Sequence, residues 1–304
     1  MRIVFMGTPD FAVASLDALV KAGHDVVGVV TAPDKPSGRG QKVSESAVKK
    51  YAVANNLKVL QPVKLKDQLF LDELKSLNAE LQVVVAFRML PVAVWDMPPK
   101  GTINLHASLL PQYRGAAPIN WAILNGEVES GVTTFFLKHE IDTGDIIFSE
   151  KVSINEGMTA GDLHDELMSI GSQLLVKTVD AIANDNYKEI PQSSFDDTIL
   201  KHAPKIYKED CEIVWDDSTQ RIFNLIRGMS PYPTAFTTLN GKNLKVFKAE
   251  KELANPHKNP GEYETDNKHY LKFATSDGFI SIKELQLEGK KRMQIDEFLR
   301  GIKL

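Results

Sequence analysis

Asn104 and His106 stand two residues apart in the run Gly101-Thr-Ile-Asn-Leu-His106. In a strand that spacing puts both side chains on one face. Residues 107–118 are rich in turn formers and read as a long loop. An amide and an imidazole therefore leave a strand end together, the place where open α/β sheets hold their ligands. Asp142, in His139-Glu-Ile-Asp-Thr-Gly-Asp145, adds a carboxylate on a second turn. Amide, imidazole and carboxylate can stabilise an oxyanion, move a proton and orient the ring, which are the tasks of acyl-type transfer. Each residue also has a plainer reading. The histidine can be structural, the asparagine can cap a turn, and Asp142-Thr-Gly144 can be an ordinary turn. The same tripeptide marks aspartic proteases, but that chemistry needs two facing carboxylates and the chain has one copy.

The elements that must position these groups are legible in the pattern. Apolar runs at residues 2–7, 25–31, 58–61, 81–87 and 101–106 alternate with helix-type spacing at 11–22, 44–56 and 67–77. The runs are nearly continuous in valine and its like, as strands covered on both faces should be. Such alternation predicts an α/β fold with a doubly wound, mostly parallel sheet. A short helix at 119–124, strands at 132–138 and 145–153 and a helix over 159–186 complete a domain spanning 1–188. Thr159 and Asp162 have the spacing of a capping box. Leu163, Leu167, Ile170, Leu174 and Ile182 make an apolar stripe. Residues 189–209 are polar, contain Pro191 and Pro204, and read as an interdomain linker. Residues 210–304 carry strand-like runs at 212–215, 234–239, 243–248, 269–275 and 278–287, one helix at 218–229 and a hairpin turn at Asn240-Gly241. Short strands with frequent turns predict a small β-barrel of the OB type.

Bulk properties narrow the classes further. Among 304 residues there is one cysteine, Cys211, so no internal disulfide forms and a reducing cytoplasm fits. No stretch approaches the roughly 20 apolar residues that span a bilayer, and no membrane partner is expected. No Cys/His cluster has zinc-ligand spacing, and no metal is expected. Met6-Gly-Thr-Pro9 lacks the three glycines of a dinucleotide fingerprint, and Pro9 has no N–H for a phosphate. A nicotinamide cofactor is therefore not expected, and the segment is either the mouth of a cleft or a plain strand-to-helix turn. The net charge of −4 hides an asymmetry: residues 1–200 carry 18 basic against 25 acidic side chains, residues 201–304 carry 18 against 15. A basic second domain, with the six positive charges between positions 35 and 58, either frames a polyanion or is simply solvated lysine.

Three segments together resemble a known family. They are Met6-Gly-Thr-Pro-Asp-Phe11, then Pro33-Asp-Lys-Pro-Ser-Gly-Arg-Gly-Gln-Lys42, then Asn104-Leu-His-Ala-Ser-Leu-Leu-Pro111 continuing to Pro118, with Asp142-Thr-Gly144. The chain is similar to the folate-dependent formyltransferases, and the second segment with the β-rich C-terminal region favours the methionyl-tRNA formyltransferases among them. The resemblance implies a formyltransferase-type, Rossmann-like catalytic domain. It implies transfer of a formyl group from 10-formyltetrahydrofolate, as co-substrate, to the α-amino group of methionyl initiator tRNA, for translation initiation in the cytoplasm. It places the catalytic roles on Asn104, His106 and Asp142, and folate binding on Ser108, Leu109, Leu110 and Pro111. Phe87, Arg88 and Met89 fall where the family's backbone helps hold the pterin ring. There the chain departs from the pattern: Ala86-Phe-Arg-Met-Leu-Pro91 is one residue short, with Arg88 where glycine is expected.

The hydrophilic loop around Arg39 and Lys42 is expected to meet phosphates or the splayed end of an acceptor stem. In the second domain Lys245, Lys248, Lys290, Lys291 and Arg292 are expected to track the RNA backbone. A monomer is expected. Two other readings share the catalytic segment: a formyltransferase acting on a small amine, such as an amino sugar or a ribonucleotide, and a folate- or RNA-binding protein without activity.

Overall fold

Residues 1–37, 42–195 and 200–304 are described by the computed structural model. They form two compact units that do not follow chain order. The first unit takes Met1–Gly115, Gly131–Val152 and Asp165–His202; the second takes Ala116–Ser130, Ser153–His164 and Ala203–Leu304. In chain order the N-terminal elements are β1 (Arg2–Gly7), α1 (Asp10–Lys21), β2 (Asp25–Val30), β3 (Lys35–Ser37), β4 (Lys42–Ser44), α2 (Ala47–Ala54), β5 (Val59–Leu60), α3 (Gln68–Ser76), β6 (Leu81–Val85), α4 (Val92–Trp95) and β7 (Thr102–His106). There follow β8 (Arg114–Gly115), α5 (Pro118–Leu124), β9 (Glu129–Phe136), β10 (Ile146–Ser153), α6 (Ala160–Ala183) and β11 (His202–Ala203). The C-terminal elements are α7 (Thr219–Met229), β12 (Ala235–Leu239), β13 (Lys242–Leu253), β14 (Tyr263–Thr265), β15 (Leu271–Ala274), β16 (Gly278–Leu287), β17 (Met293–Gln294) and α8 (Ile295–Gly301).

A seven-stranded sheet in the order β10-β9-β7-β6-β1-β2-β5 carries the candidate residues. The pairs β1–β2, β1–β6, β2–β5 and β6–β7 are parallel, and β9 runs antiparallel to β7. All five residues of β6 are buried, as its largely apolar sequence suits, and the one polar member, Gln82, accepts from the Thr102 hydroxyl at 3.1 Å. Register places Gly7 opposite Val85 and Val85 opposite Leu105. The loops after β1, β6 and β7 therefore leave the same C-terminal edge. Gly7 is needed there, since a Cβ would lie 2.6 Å from the Ala12 Cβ and 2.9 Å from the Val85 carbonyl oxygen.

Local chemistry sets the helix limits. Asp67 caps α3 by accepting from the Leu69 and Phe70 amides. Ser46 caps α2 by accepting from the Lys49 amide, so this helix begins later than the sequence pattern predicts. The residues before it pair instead as the β3–β4 hairpin. The expected capping box is present: the Thr159 amide donates to Asp162 at 2.9 Å, and the Asp162 amide donates back to the Thr159 hydroxyl at 3.2 Å.

The second unit has an antiparallel strand order β12-β13-β16-β15-β14, with β17 on β16. Asn240 and Gly241 both have positive φ, 48° and 77°, as a two-residue hairpin turn requires. Ile222, Ile226 and Met229 of α7 and Phe298 and Leu299 of α8 fill its core against the strands. The strand expected at 212–215 is reduced to a single bridge between Glu212 and Phe236. Trp215 stacks on Phe273 at 4.5 Å and donates its indole N–H to Thr237, and that anchor takes the place of a ladder.

Segments from before residue 188 belong to this unit for a visible reason. The Arg227 guanidinium is buried and donates to Asn224 and to the carbonyls of Met158 and Ile123. Asn120 donates to the Gly228 carbonyl at 2.8 Å. Among the described residues no helix is long and apolar enough to cross a membrane.

Candidate active site

His106 ends β7 and is held from two sides. Its Nε2 lies 2.9 Å from the Tyr113 carbonyl oxygen. A carbonyl only accepts, so Nε2 carries the hydrogen. The other nitrogen, Nδ1, is then turned to Asp142, whose Oδ2 is 3.9 Å away. The ring edge also meets Phe135, with centroids 6.5 Å apart at 86°. The two side chains are 8% and 13% exposed, so polar interactions between them act with little solvent screening. Only the imidazolium can donate to both acceptors, and 3.9 Å is one small movement from a direct charge-assisted bond.

Asp142 sits at φ 56°, in the left-handed region that aspartate tolerates better than most residues. Its Oδ2 accepts from the Gly115 amide at 3.0 Å. Gly144 has a different reason to be glycine: a Cβ would lie 1.5 Å from the Phe136 carbonyl oxygen. The turn is tied down by Gln192, which is 2% exposed. Its Nε2 donates to the carbonyls of Asp142 (2.9 Å) and Gly144 (2.8 Å), and its Oε1 accepts from Arg114 Nε and Nη2 at 2.9 and 2.6 Å.

Asn104 lies two residues before His106 on β7, half-buried. Among the described residues its side-chain amide makes no hydrogen bond, so donors and acceptor are free for a ligand. The structure thus brings His106 and Asp142 to within 3.9 Å of each other, and strand alternation puts Asn104 on the same face as His106.

The loop expected to bind folate is built from within. The Ser108 hydroxyl is buried and donates to the Gln112 carbonyl. The Thr133 hydroxyl donates to the Ser108 carbonyl at 2.7 Å and accepts from the Leu110 amide at 3.1 Å. Leu110 packs with Phe135 and Ile146, Pro111 is buried and Leu109 half-buried. Ser108 is therefore an internal brace, and contacts from this loop would fall to its backbone and to Leu109.

Arg88 turns to the chain beside it. Its guanidinium donates to the carbonyls of Pro62 and Val63 and lies 5.5 Å from the Phe87 ring centroid. The left-handed residue of this loop is Ala86, at φ 47°, so nothing in Arg88's own backbone demands glycine. Phe87 is half-buried and Met89 is 74% exposed, giving the loop an apolar edge.

Of the residues expected to meet RNA, Arg39 and the side chain of Lys42 lie outside the described residues. Lys245 and Lys248 are exposed on β13 and Lys290 on the turn after β16, with no ion pair among the described residues. Lys291 pairs with Glu297 at 3.0 Å. Arg292 donates to both oxygens of Glu284 at 2.8 and 2.7 Å and lies 4.2 Å from the Phe247 ring centroid. That bond holds the Arg292 guanidinium above its ordinary pKa, and its charge is largely answered in place. Among the described residues no three His, Cys, Asp or Glu side chains group as a metal site.

Sequence reasoning missed Tyr113, Arg114, Thr133 and Gln192. They act through backbone carbonyls and amides, or on partners distant in the chain, and residue type gives no signal of either.

An unengaged amide beside an imidazole–carboxylate pair at a sheet edge equips a protein for group transfer at a carbonyl. Residues 1–179 match the family described as formyl transferase and residues 205–303 match the formyl transferase C-terminal domain, so the chain belongs to the formyl transferase family. Among its curated relatives, the methionyl-tRNA formyltransferase of Parabacteroides distasonis is 54% identical over 311 residues, covering 100% of this chain and 96% of that one. That of Flavobacterium johnsoniae is 54% identical over 306 residues, covering 99% and 96%. A solved structure of the N-formyltransferase from Helicobacter canadensis, in complex with folinic acid and dTDP-3-aminofucose, superposes with a TM-score of 0.69 at 25% identity, covering 96% of this chain and 99% of that one.

Proposed function

We propose that this chain transfers the formyl group of 10-formyltetrahydrofolate to the α-amino group of methionine on initiator tRNA, in the cytoplasm. The observation that carries the reading is the pairing of His106 with Asp142 at 3.9 Å, on a chain whose full-length relatives bear that activity in their names. The folate would supply an amide-like formyl carbonyl. Asn104 would donate its side-chain N–H to the carbonyl oxygen as charge builds there, which a preorganised donor does best. A protonated His106, steadied by Asp142 and by the Tyr113 carbonyl, would add electrostatic support. The incoming amine must lose a proton and the departing folate nitrogen must gain one, so the net step releases no proton. His106 is placed to carry it. The apolar edge of Phe87 and Met89 and the braced 108–111 turn fit a flat ring.

The same chemistry would serve a small amine, and the folinic acid complex named above belongs to an enzyme crystallised with an amino sugar nucleotide. A formyl-incorporation assay separates the two. Product on methionyl initiator tRNA and none on amino sugar nucleotides is expected. Turnover of the small amine with none on the tRNA would defeat the proposal.

A further inference from the structure

We infer that Gln192 is a positioning residue for Asp142, and through it for His106, in the reaction proposed above. Residues 190–192 form a strap across the turn that carries the carboxylate. Ile190 and Ile146 exchange two backbone hydrogen bonds, both 2.9 Å. Gln192 then enters with its amide fully engaged: two donor bonds to the carbonyls of Asp142 and Gly144, two acceptor bonds from Arg114. Its orientation is fixed by chemistry, because a guanidinium offers only donors and carbonyls only accept. Turning the amide over would set N–H against N–H and oxygen against oxygen, inside a site where unpaired polar atoms are costly.

The clamp converges on three consecutive residues. The Tyr113 carbonyl holds His106 Nε2, Arg114 holds Gln192, and the Gly115 amide holds the Asp142 carboxylate. Asp142 is thereby fixed at its side chain by Gly115 and at its backbone by Gln192. Its left-handed φ is a sparsely populated backbone state, and that second hold favours it over the alternatives. Without the clamp the carboxylate would wander relative to the ring at 3.9 Å, and a shift of about 1 Å in such a group costs on the order of 100-fold in rate.

A double-mutant cycle tests this on the full chain with Gln192→Glu and Asp142→Ala. The glutamate keeps length and the Arg114 partner but presents oxygens to the two carbonyls. Thermal unfolding confirms that each variant is folded; should Gln192→Glu fail to fold, Gln192→Met replaces it with the same expectation. With Asp142 present, kcat should fall roughly 10- to 100-fold while KM for both substrates stays about unchanged. With Asp142→Ala in place, changing Gln192 should produce no further loss. An equal loss in both backgrounds, no loss at all, or a rise in KM with kcat intact would overturn the assignment of Gln192 and leave the catalytic trio standing. Full activity of Asp142→Ala alone would instead remove the trio and this inference together.

Discussion

The tripeptide Asp142-Thr-Gly144 shows two kinds of backbone demand within one turn. Asp142 accepts a left-handed φ, and Gly144 lets the chain pass against the Phe136 carbonyl at a distance no Cβ survives. Gly144→Ala must therefore push the turn outward, taking with it the Gln192 bonds and the carboxylate. We expect a stability loss of about 3 kcal/mol together with a fall in kcat, measured by urea unfolding and steady-state kinetics. A variant as stable and active as wild type would show that the turn tolerates displacement. Asn104, His106 and Asp142 are legible in the sequence as candidates from their types and spacing, because the proposed chemistry acts through side chains. Gln192 is illegible there, because its partners are two carbonyls and a guanidinium far away in the chain. Arg88 is half legible: its departure from the family pattern is visible in the sequence, whereas its engagement with Pro62 and Val63 depends on the fold.

At the scale of elements, the valine-rich strands and the cap of α6 follow the sequence pattern closely, since burial on two faces and side-chain caps are both local signals. The hairpin before α2 and the lost strand at 212–215 do not follow it. In the first, pairing wins over helical spacing; in the second, stacking of Trp215 on Phe273 wins over strand propensity. The start of α7 carries a further device. Asp277 accepts from the Thr219 amide and hydroxyl, both at 2.7 Å, and these bonds hold its carboxyl below the ordinary value of 3.8. A depressed folded value means that the stabilisation is fully present above the ordinary aspartate range. It is lost as pH falls through the folded value. Asp277→Ala should cost about 1 kcal/mol at neutral pH, and the gap to wild type should shrink in acid below about pH 4. Chemical unfolding at a series of pH values checks this; a gap that stays constant would mean that the carboxylate is not the source.

At the scale of the whole molecule, the second unit recruits residues 116–130 and 153–164 from within residues 1–179, the region matched as formyl transferase. Arg227 and Asn120 explain the recruitment, and no composition shift announces it. The same unit separates its basic residues into two groups. Lys245, Lys248 and Lys290 are exposed, whereas Arg292 is answered by Glu284. If the exposed three contact phosphates, Lys245→Ala should lower the salt slope of tRNA binding by about 1, whereas Arg292→Ala should leave it about unchanged. Equal slopes for both variants would refute that division. Single-turnover formylation of methionyl initiator tRNA by Asn104→Ala is the sharpest test of the proposal that Asn104 and His106 act on one carbonyl beside Asp142. A rate roughly 100- to 1,000-fold below wild type with folate binding retained is expected; a rate equal to wild type would refute the proposal.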